Sequence, residues 1–269
     1  MLRLRLCVGD IASWRGVDCV AVSTNRTLQG NENPTYWRFA GRKSVNGAVR
    51  SVGGPELAEA CKAQALRRHC EVGEAVVTPA FGDLARRGCR HVVHVMVPDG
   101  LQIHGGGTDR HVQRMALPVM RQSFSAVLDA AADVGALSAA MPALGCGVNR
   151  WSPSLVAAAA AHALADAAAA SGAVSAVDLI MGSQQMARAW GEVLEAALGP
   201  PTLEPHAADR HISTWQISPQ QSASLGPLLA EQGDQRVSSD DASRRKSTRA
   251  LRERLLLRVC RAGCYGNRP

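Results

Sequence analysis

Aromatic side chains are scarce in this chain, with phenylalanine, tyrosine and tryptophan making up 4% of 269 residues. A core with so few rings must be filled by aliphatic and small side chains. The hydrophobic content of 46% suffices for one substantial core, and the length allows one or two domains. Long apolar runs are lacking as well. No stretch approaches the ~20 residues that span a bilayer, and the opening Met1-Leu2-Arg3-Leu4-Arg5-Leu6 alternates leucine with arginine, unlike a signal peptide. The expectation is an intracellular protein, in cytoplasm or nucleus, without a membrane span. Clustered cysteines are missing too. The eight, at positions 7, 19, 61, 70, 89, 146, 260 and 264, are scattered, which favours reduced thiols over a disulfide framework. Cys260 and Cys264 lack the second pair or the histidines of a zinc site, so neither metal nor cofactor is expected.

What is present includes a net charge of +7, but its distribution weakens the inference of a nucleic-acid binder. Residues 200–269 hold eleven Lys or Arg against seven Asp or Glu, a net +4, so the preceding part is only mildly basic. Arg244 to Arg261 interleaves arginines with Leu251, Leu255, Leu256, Leu257 and Val259, which on a helix would form a basic amphipathic face for RNA, an acidic membrane or a partner helix. The Ser-, Gln- and Pro-rich sequence upstream reads instead as a solvated, low-order tail, and no function is assigned to it.

A change of texture at Gly199-Pro200-Pro201 divides the chain into a folded domain, 1–199, and a basic, poorly structured tail, 200–269. Before the divide, Leu2 to Val8 and Val17 to Val22 read as strands, Pro55 to Arg68 as a helix, and Glu74 to Thr78 and His91 to Val95 as strands. A strict alternation follows. A helix over Val112 to Val134 leads to a strand at 136–141, an alanine-rich helix from Pro153 to Ala170 to a strand at Ala176 to Ile180, and a last helix runs from Ser183 to Leu198. This pattern predicts an α/β fold: a mixed or parallel sheet covered by helices on both faces, with ligands at the carboxyl ends of the strands.

Several loops at that edge suit a nucleotide. Met141 to Pro153 breaks from an apolar run into a glycine-flanked turn, Gly145-Cys146-Gly147, and then into Ser152-Pro153, an N-cap followed by proline at the first helical position. Exposed N–H groups there would attract a diphosphate, although an ordinary strand-to-helix turn would look the same. Gly9-Asp10-Ile11 offers a carboxylate that could accept from an adenine amino group or merely close a turn. Ser23-Thr24-Asn25 places an amide where a sugar hydroxyl could be held, or where an Asx turn forms.

In this order, the pieces resemble the macrodomain family of ADP-ribose-binding modules over roughly residues 2–198. Gly9-Asp10-Ile11 is similar to the family's opening Gly-Asp-Ile turn, Val17 to Asn25 to its Val-Asp-Ala-Ile-Val-Asn-Ala-Ala-Asn strand, and Val45 to Arg50 before Gly54-Pro55-Glu56-Leu57 to its Val-Asp-Gly-Ala-Ile-His segment before Gly-Pro-Glu-Leu. Gly73-Glu74-Ala75, His91 to Pro98 and Pro142 to Val148 resemble its later strand openings and second phosphate loop. The resemblance implies a three-layer α/β/α sandwich with a mixed central sheet. It also implies that Asp10 and Ile11 hold adenine, that Gly145, Cys146, Gly147 and Val148 wrap the diphosphate, and that Asn25, Asn46 and Gly47 border the distal ribose.

Departures from the family pattern bear on mechanism. Hydrolases of the MacroD type carry aspartate where this chain has Asn46, and terminal ADP-ribose glycohydrolases carry aspartate where it has Asn149. An amide cannot take the proton, and a general base contributes typically ~10²–10⁴-fold. Arg42-Lys43-Ser44 replaces the family's triple glycine after an insertion, Asn31 to Gly41, containing Tyr36, Trp37 and Phe39. Asn149 also stands where many members place an aromatic ring, so Trp37, Phe39 or Trp151 would have to fold over the site instead. Three readings follow: a module that binds ADP-ribose or ADP-ribosylated protein with weak or no turnover; an enzyme, a mono-ADP-ribosyl-protein hydrolase or O-acetyl-ADP-ribose deacetylase working through Asn25, with Asn46 beside it, and a water; or an RNA or protein scaffold using the tail. The first is favoured. His94 on an apolar strand and Cys146 between glycines read as core and filler residues.

Overall fold

A computed structural model describes residues 1–28, 44–100, 113, 116–170, 172–203 and 213–221. Eight strands form one sheet: β1 (Leu2–Val8), β2 (Cys19–Ser23), β3 (Ala75–Pro79), β4 (His91–Val95), β5 (Ser138–Pro142), β6 (Ala176–Met181), β7 (Thr202–Leu203) and β8 (Ser213–Ile217), in the spatial order β3-β4-β2-β5-β6-β1-β8-β7. The central run from β4 to β1 is parallel, while β3, β8 and β7 pair antiparallel at the two sides. This is the expected mixed sheet. Its parallel strands alternate between two buried faces, as strands covered on both sides must.

Each face has its own core. On one, Leu4, Leu6, Ala21, Val93, Met141 and Leu179 meet helices α3 (Leu117–Asp133), α4 (Pro153–Ala169) and α5 (Gln184–Leu198). On the other, Cys7, Val20, Val22, Val92 and Ile180 meet α1 (Val45–Arg67), α2 (Gly82–Arg86) and a 3-10 turn at Ile11–Ser13. Helix α4 packs against both α3 and α5. That position accounts for its alanines: eleven of its residues are buried, including Ala157, Ala159, Ala160, Ala161, Ala163 and Ala165, and a helix flanked on two sides and laid on a sheet needs short side chains to let its neighbours close in.

Helix α1 starts well before the expected Pro55. Ser44 caps it, its hydroxyl accepting from the Gly47 N–H at 3.1 Å, and the helix bends at Gly54 (φ 74°) so that Pro55 opens its second half. The interruption hid the first half from helical periodicity. A larger difference lies at the carboxyl end. The sheet does not stop at residue 199: β8 pairs antiparallel with the first five residues of β1, from Leu2↔Ile217 to Leu6↔Ser213, and Trp215 and Ile217 are buried in the larger core. The Trp215 indole donates to the Gly199 carbonyl at 2.9 Å and the Gln221 amide to that of Leu198 at 3.0 Å. Gly199-Pro200-Pro201 does end α5, but a five-residue strand with two inward side chains is too short to register against polar surroundings. Residues 222–269, including the basic Arg244–Arg261 segment, lie outside the described residues.

At the amino edge of the sheet, Asp18 ties three strands together. Its Oδ2 accepts from the N–H groups of Leu137 (2.9 Å) and Ser138 (3.0 Å) and from the Ser138 hydroxyl (3.0 Å), and its Oδ1 pairs with Arg90 at 3.0 Å. Burial works to raise the carboxyl pKa, yet those donors and the Arg90 charge together hold it below the usual carboxylate value. A depressed folded-state pKa means stability that is present above about pH 4 and is lost as the pH falls through the folded value. Asp18→Ala should therefore lower the unfolding free energy at pH 7 by about 2–3 kcal/mol in urea titration, with the deficit shrinking towards pH 2.

Candidate functional site

Because β4, β2, β5, β6 and β1 run parallel as neighbours, the turns after them emerge along one edge. The turn after β1 is anchored first. Asp178, 2% exposed on β6, accepts from Arg5 through both oxygens (2.7 and 2.5 Å) and from the Trp14 indole at 2.8 Å. Gly9 lies so close that an added Cβ would stand 3.0 Å from the Trp14 ring. A carboxylate inside the apolar run Ala176-Val177-Asp178-Leu179-Ile180 was the available sequence signal for this clamp, and Arg5 opposite it on the next strand completes the pair.

Asp10 is exposed and caps the 3-10 turn: its Oδ1 accepts from the Ala12 N–H at 3.0 Å and its carbonyl from Ser13. One carboxylate oxygen is thus committed to the turn. Ile11 is buried in the smaller core, and among the described residues its N–H meets no acceptor.

The turn after β2 carries Asn25, whose Oδ1 accepts from the Thr27 hydroxyl at 3.3 Å and whose carbonyl accepts from the Leu28 N–H. Beside it, the Asn46 amide donates to the Ser23 carbonyl at 2.8 Å, joining the first turn of α1 to the end of β2. Asn46 is 5% exposed and its Oδ1 has no partner among the described residues. A buried amide oxygen in that condition is an acceptor held in place and not yet used. The Gly47 N–H, by contrast, is taken by the Ser44 cap.

The turn after β5 has the most elaborate support. Gly145 adopts φ 78°, and a Cβ there would come within 3.0 Å of both Met120 and Trp151. Cys146 N–H closes onto Ala143, Arg150 N–H onto Gly147 and Trp151 N–H onto Gly145, each at 3.1 Å. Trp151 is 2% exposed and its indole donates to the Pro98 carbonyl at 2.7 Å. The Gln113 side chain grips the far end, donating to the Arg150 carbonyl (3.2 Å) and accepting from the Ser152 N–H (3.0 Å). Neither Gln113 nor Pro98 stood out in the sequence, since their partners are backbone groups distant along the chain. Among the described residues, the N–H groups of Gly147, Val148 and Asn149 have no acceptor, Val148 is exposed, and an added Cβ on Gly147 would meet nothing within 4 Å.

One sequence expectation changes here. Trp151 does not fold over a ligand site: its ring is core, beneath the loop. Trp37 and Phe39, with Tyr36, lie outside the described residues. Cys146 is a thiol whose pKa burial pushes up to about 12, against a smaller opposing influence from Trp190, so it is no nucleophile at neutral pH. His94 is fully buried under α1, contacting Thr78 Oγ1 (3.0 Å) and Cys61 Sγ (3.6 Å), and burial followed by the Arg50 charge lowers its pKa to about 4. It stays neutral and structural. Among the described residues, the cysteines are free thiols, no group of three or more His, Cys, Asp or Glu is placed to hold a metal ion, and no helix is long and apolar enough to cross a membrane.

The position of Trp151 is open to a direct check. Trp151→Ala should destabilise the protein by about 3–5 kcal/mol in urea unfolding, whereas loss of a ring lying over an open cleft would leave stability nearly unchanged.

Known proteins match this arrangement. Residues 32–160 fit the Macro domain family model. The chain is 33% identical over 141 residues to an O-acetyl-ADP-ribose deacetylase of Enterobacter cloacae, covering 52% of this chain and 64% of that protein, and 27% identical over 157 residues to a Macro domain-containing protein of Lactiplantibacillus plantarum, covering 58% and 75%. It thus spans less than two thirds of the Enterobacter relative. Among solved structures, the Oceanobacillus iheyensis macrodomain with ADP superposes with a TM-score of 0.55 at 19% identity, over 72% of this chain and 90% of that one. The Trypanosoma brucei macrodomain in complex with ADP-ribose gives 0.54 at 18%, over 70% and 67%. At such identities the structural likeness speaks for the fold alone. By sequence, residues 32–160 of this chain are similar to the Macro domain family, and its fold is that of a macrodomain.

Proposed function

We propose that the chain binds ADP-ribose, free or attached to a protein, at the carboxyl edge of its sheet, and that it turns the ligand over weakly or not at all. The observation that carries the reading is the turn after β5: a rigid loop with three uncommitted N–H groups around a glycine whose Cβ side is open. Such a nest suits phosphate oxygens. In this reading Gly147, Val148 and Asn149 donate to the diphosphate while Gly145 and Cys146 shape the loop. Asp10 accepts the adenine amino group through its second oxygen, the Ile11 N–H meets a ring nitrogen, and Asn25, Asn46 and the Gly47 backbone border the distal ribose. The matched relatives and the neighbours holding ADP or ADP-ribose point the same way.

Weak turnover follows from Asn46 and Asn149. Asn46 has its amide nitrogen committed to Ser23, which leaves an oxygen able to orient a hydroxyl but unable to keep its proton. The name of the Enterobacter relative favours a second reading, deacetylation of O-acetyl-ADP-ribose with a water held at Asn25. The binding unit would comprise residues 1–221, including β8, with 222–269 as an appendage, and would act on ADP-ribosylated proteins inside the cell.

Calorimetry of the full chain with ADP-ribose should show saturable binding. Gly147→Val adds a side chain where the protein itself has room, so the melting temperature should hold while affinity falls at least ~10-fold, because the branched group occupies the phosphate position. Unchanged affinity would remove the loop from the site. Acetate release from O-acetyl-ADP-ribose, abolished by Asn25→Ala, would establish the second reading instead.

A further inference from the structure

Arg150 is held in a conformation that its own chemistry disfavours. Its φ is +52°, and only Leu28 among the other described non-glycine residues has a positive φ. A Cβ makes that region costly, and glycine would adopt it freely. The turn gives the residue no means of relaxing. Its N–H is bound to Gly147, its carbonyl accepts from Gln113, and the flanking Trp151 and Ser152 N–H groups are bound to Gly145 and to Gln113 in turn.

The side chain offers no structural reason for tolerating the strain. It is exposed, and among the described residues its guanidinium has no carboxylate or carbonyl partner. Several other arginines are paired, Arg5 with Asp178, Arg26 with Glu71, Arg68 with Glu74, Arg90 with Asp18 and Arg121 with Asp166, and no other arginine among the described residues has a positive φ. Strain retained at a residue without packing or pairing is the mark of a functional constraint. The same turn supplies the N–H groups of Gly147, Val148 and Asn149, neutral donors that meet no acceptor among the described residues.

We propose that Arg150 is a ligand-binding residue whose guanidinium pairs with the diphosphate cradled by those N–H groups. This rests on the ADP-ribose reading above and adds to it the source of positive charge. Backbone amides provide direction but no net charge; a guanidinium provides both, through parallel donors matched to phosphate oxygens. The site then selects for the diphosphate rather than for adenosine alone, and its affinity depends on ionic strength.

The test uses the full chain and three variants, Arg150→Gly, Arg150→Gln and Arg150→Lys, titrated calorimetrically with ADP-ribose and with adenosine at 50 and 300 mM NaCl, alongside thermal melts. At low salt, Gly and Gln should weaken ADP-ribose binding about tenfold and Lys about threefold, each deficit narrowing at high salt while adenosine binding stays the same. Arg150→Gly should melt about 2 °C above the natural chain, because the strain is relieved. Equal ADP-ribose affinity in all four proteins overturns the role of Arg150 and leaves the cleft reading intact. A fall in melting temperature in Gly and Gln, with adenosine and ADP-ribose affected alike, makes the residue structural and also overturns it. No binding of ADP-ribose by the natural chain overturns the cleft reading itself, and this inference with it.

Discussion

The burial of one indole ring governs the site. Trp151 sits in the larger core with its N–H on the Pro98 carbonyl, and the loop before it must fold back over the ring in a space that admits only a glycine at position 145. With Gly145, Ala143 and Gly147 accepting the turn's own hydrogen bonds, the N–H groups of residues 147–149 are left without an acceptor among the described residues. The uncommitted donors of this turn are then a consequence of how the core is filled. The aromatic shortage sharpens the point, since the tryptophans among the described residues each have a specific place: Trp14 on the Asp178 clamp, Trp190 edge-on to Phe124, and Trp215 on the core face of β8.

Rigidity at the carboxyl edge is matched by a separate tie at the opposite edge. Asp18 and Arg90 hold the starts of β2, β4 and β5, while Asp178, Arg5 and Trp14 hold the turn at the end of β1. Both are carboxylates with nearly every lone pair occupied, the condition under which a partly or fully buried charge stabilises rather than disrupts. Between them the short alanine side chains of α4 let two further helices close on the sheet. The result is a set of strand ends with little freedom to shift relative to one another, which is what a site assembled from four separate turns requires.

Polar groups at the edge divide into those already committed and those available. Gly47 N–H, Cys146 N–H and one oxygen of Asp10 serve the fold. The Asn46 oxygen and the N–H groups of Ile11, Gly147, Val148 and Asn149 do not. Sequence similarity alone assigns all of these positions to one ligand, yet their hydrogen-bond accounts separate contacts from supports. Asn46 shows the difference well: it is both, one end bracing β2 and the other left as an acceptor.

Much of the architecture was written in local periodicity. The bounds of β1 and β4 and the extents of α4 and α5 follow from alternation, caps and proline placement, because each of those signals acts within a few residues. The order of glycine-flanked turns likewise put the turns after β1, β2 and β5 on one edge of the sheet. Other features depended on contacts between distant residues. The first half of α1 was concealed by the Gly54 bend, β8 was too short to announce itself, and the burial of Trp151 could not be told from a ring over the ligand until Pro98 and Met120 were seen beneath the loop. By itself, then, the sequence determined which segments become strands and helices and where their polar turns fall; the tertiary structure alone decided which of those turns' donors face inward and which face solvent, because a hydrogen bond's direction is settled by packing between residues that the chain separates by dozens of positions.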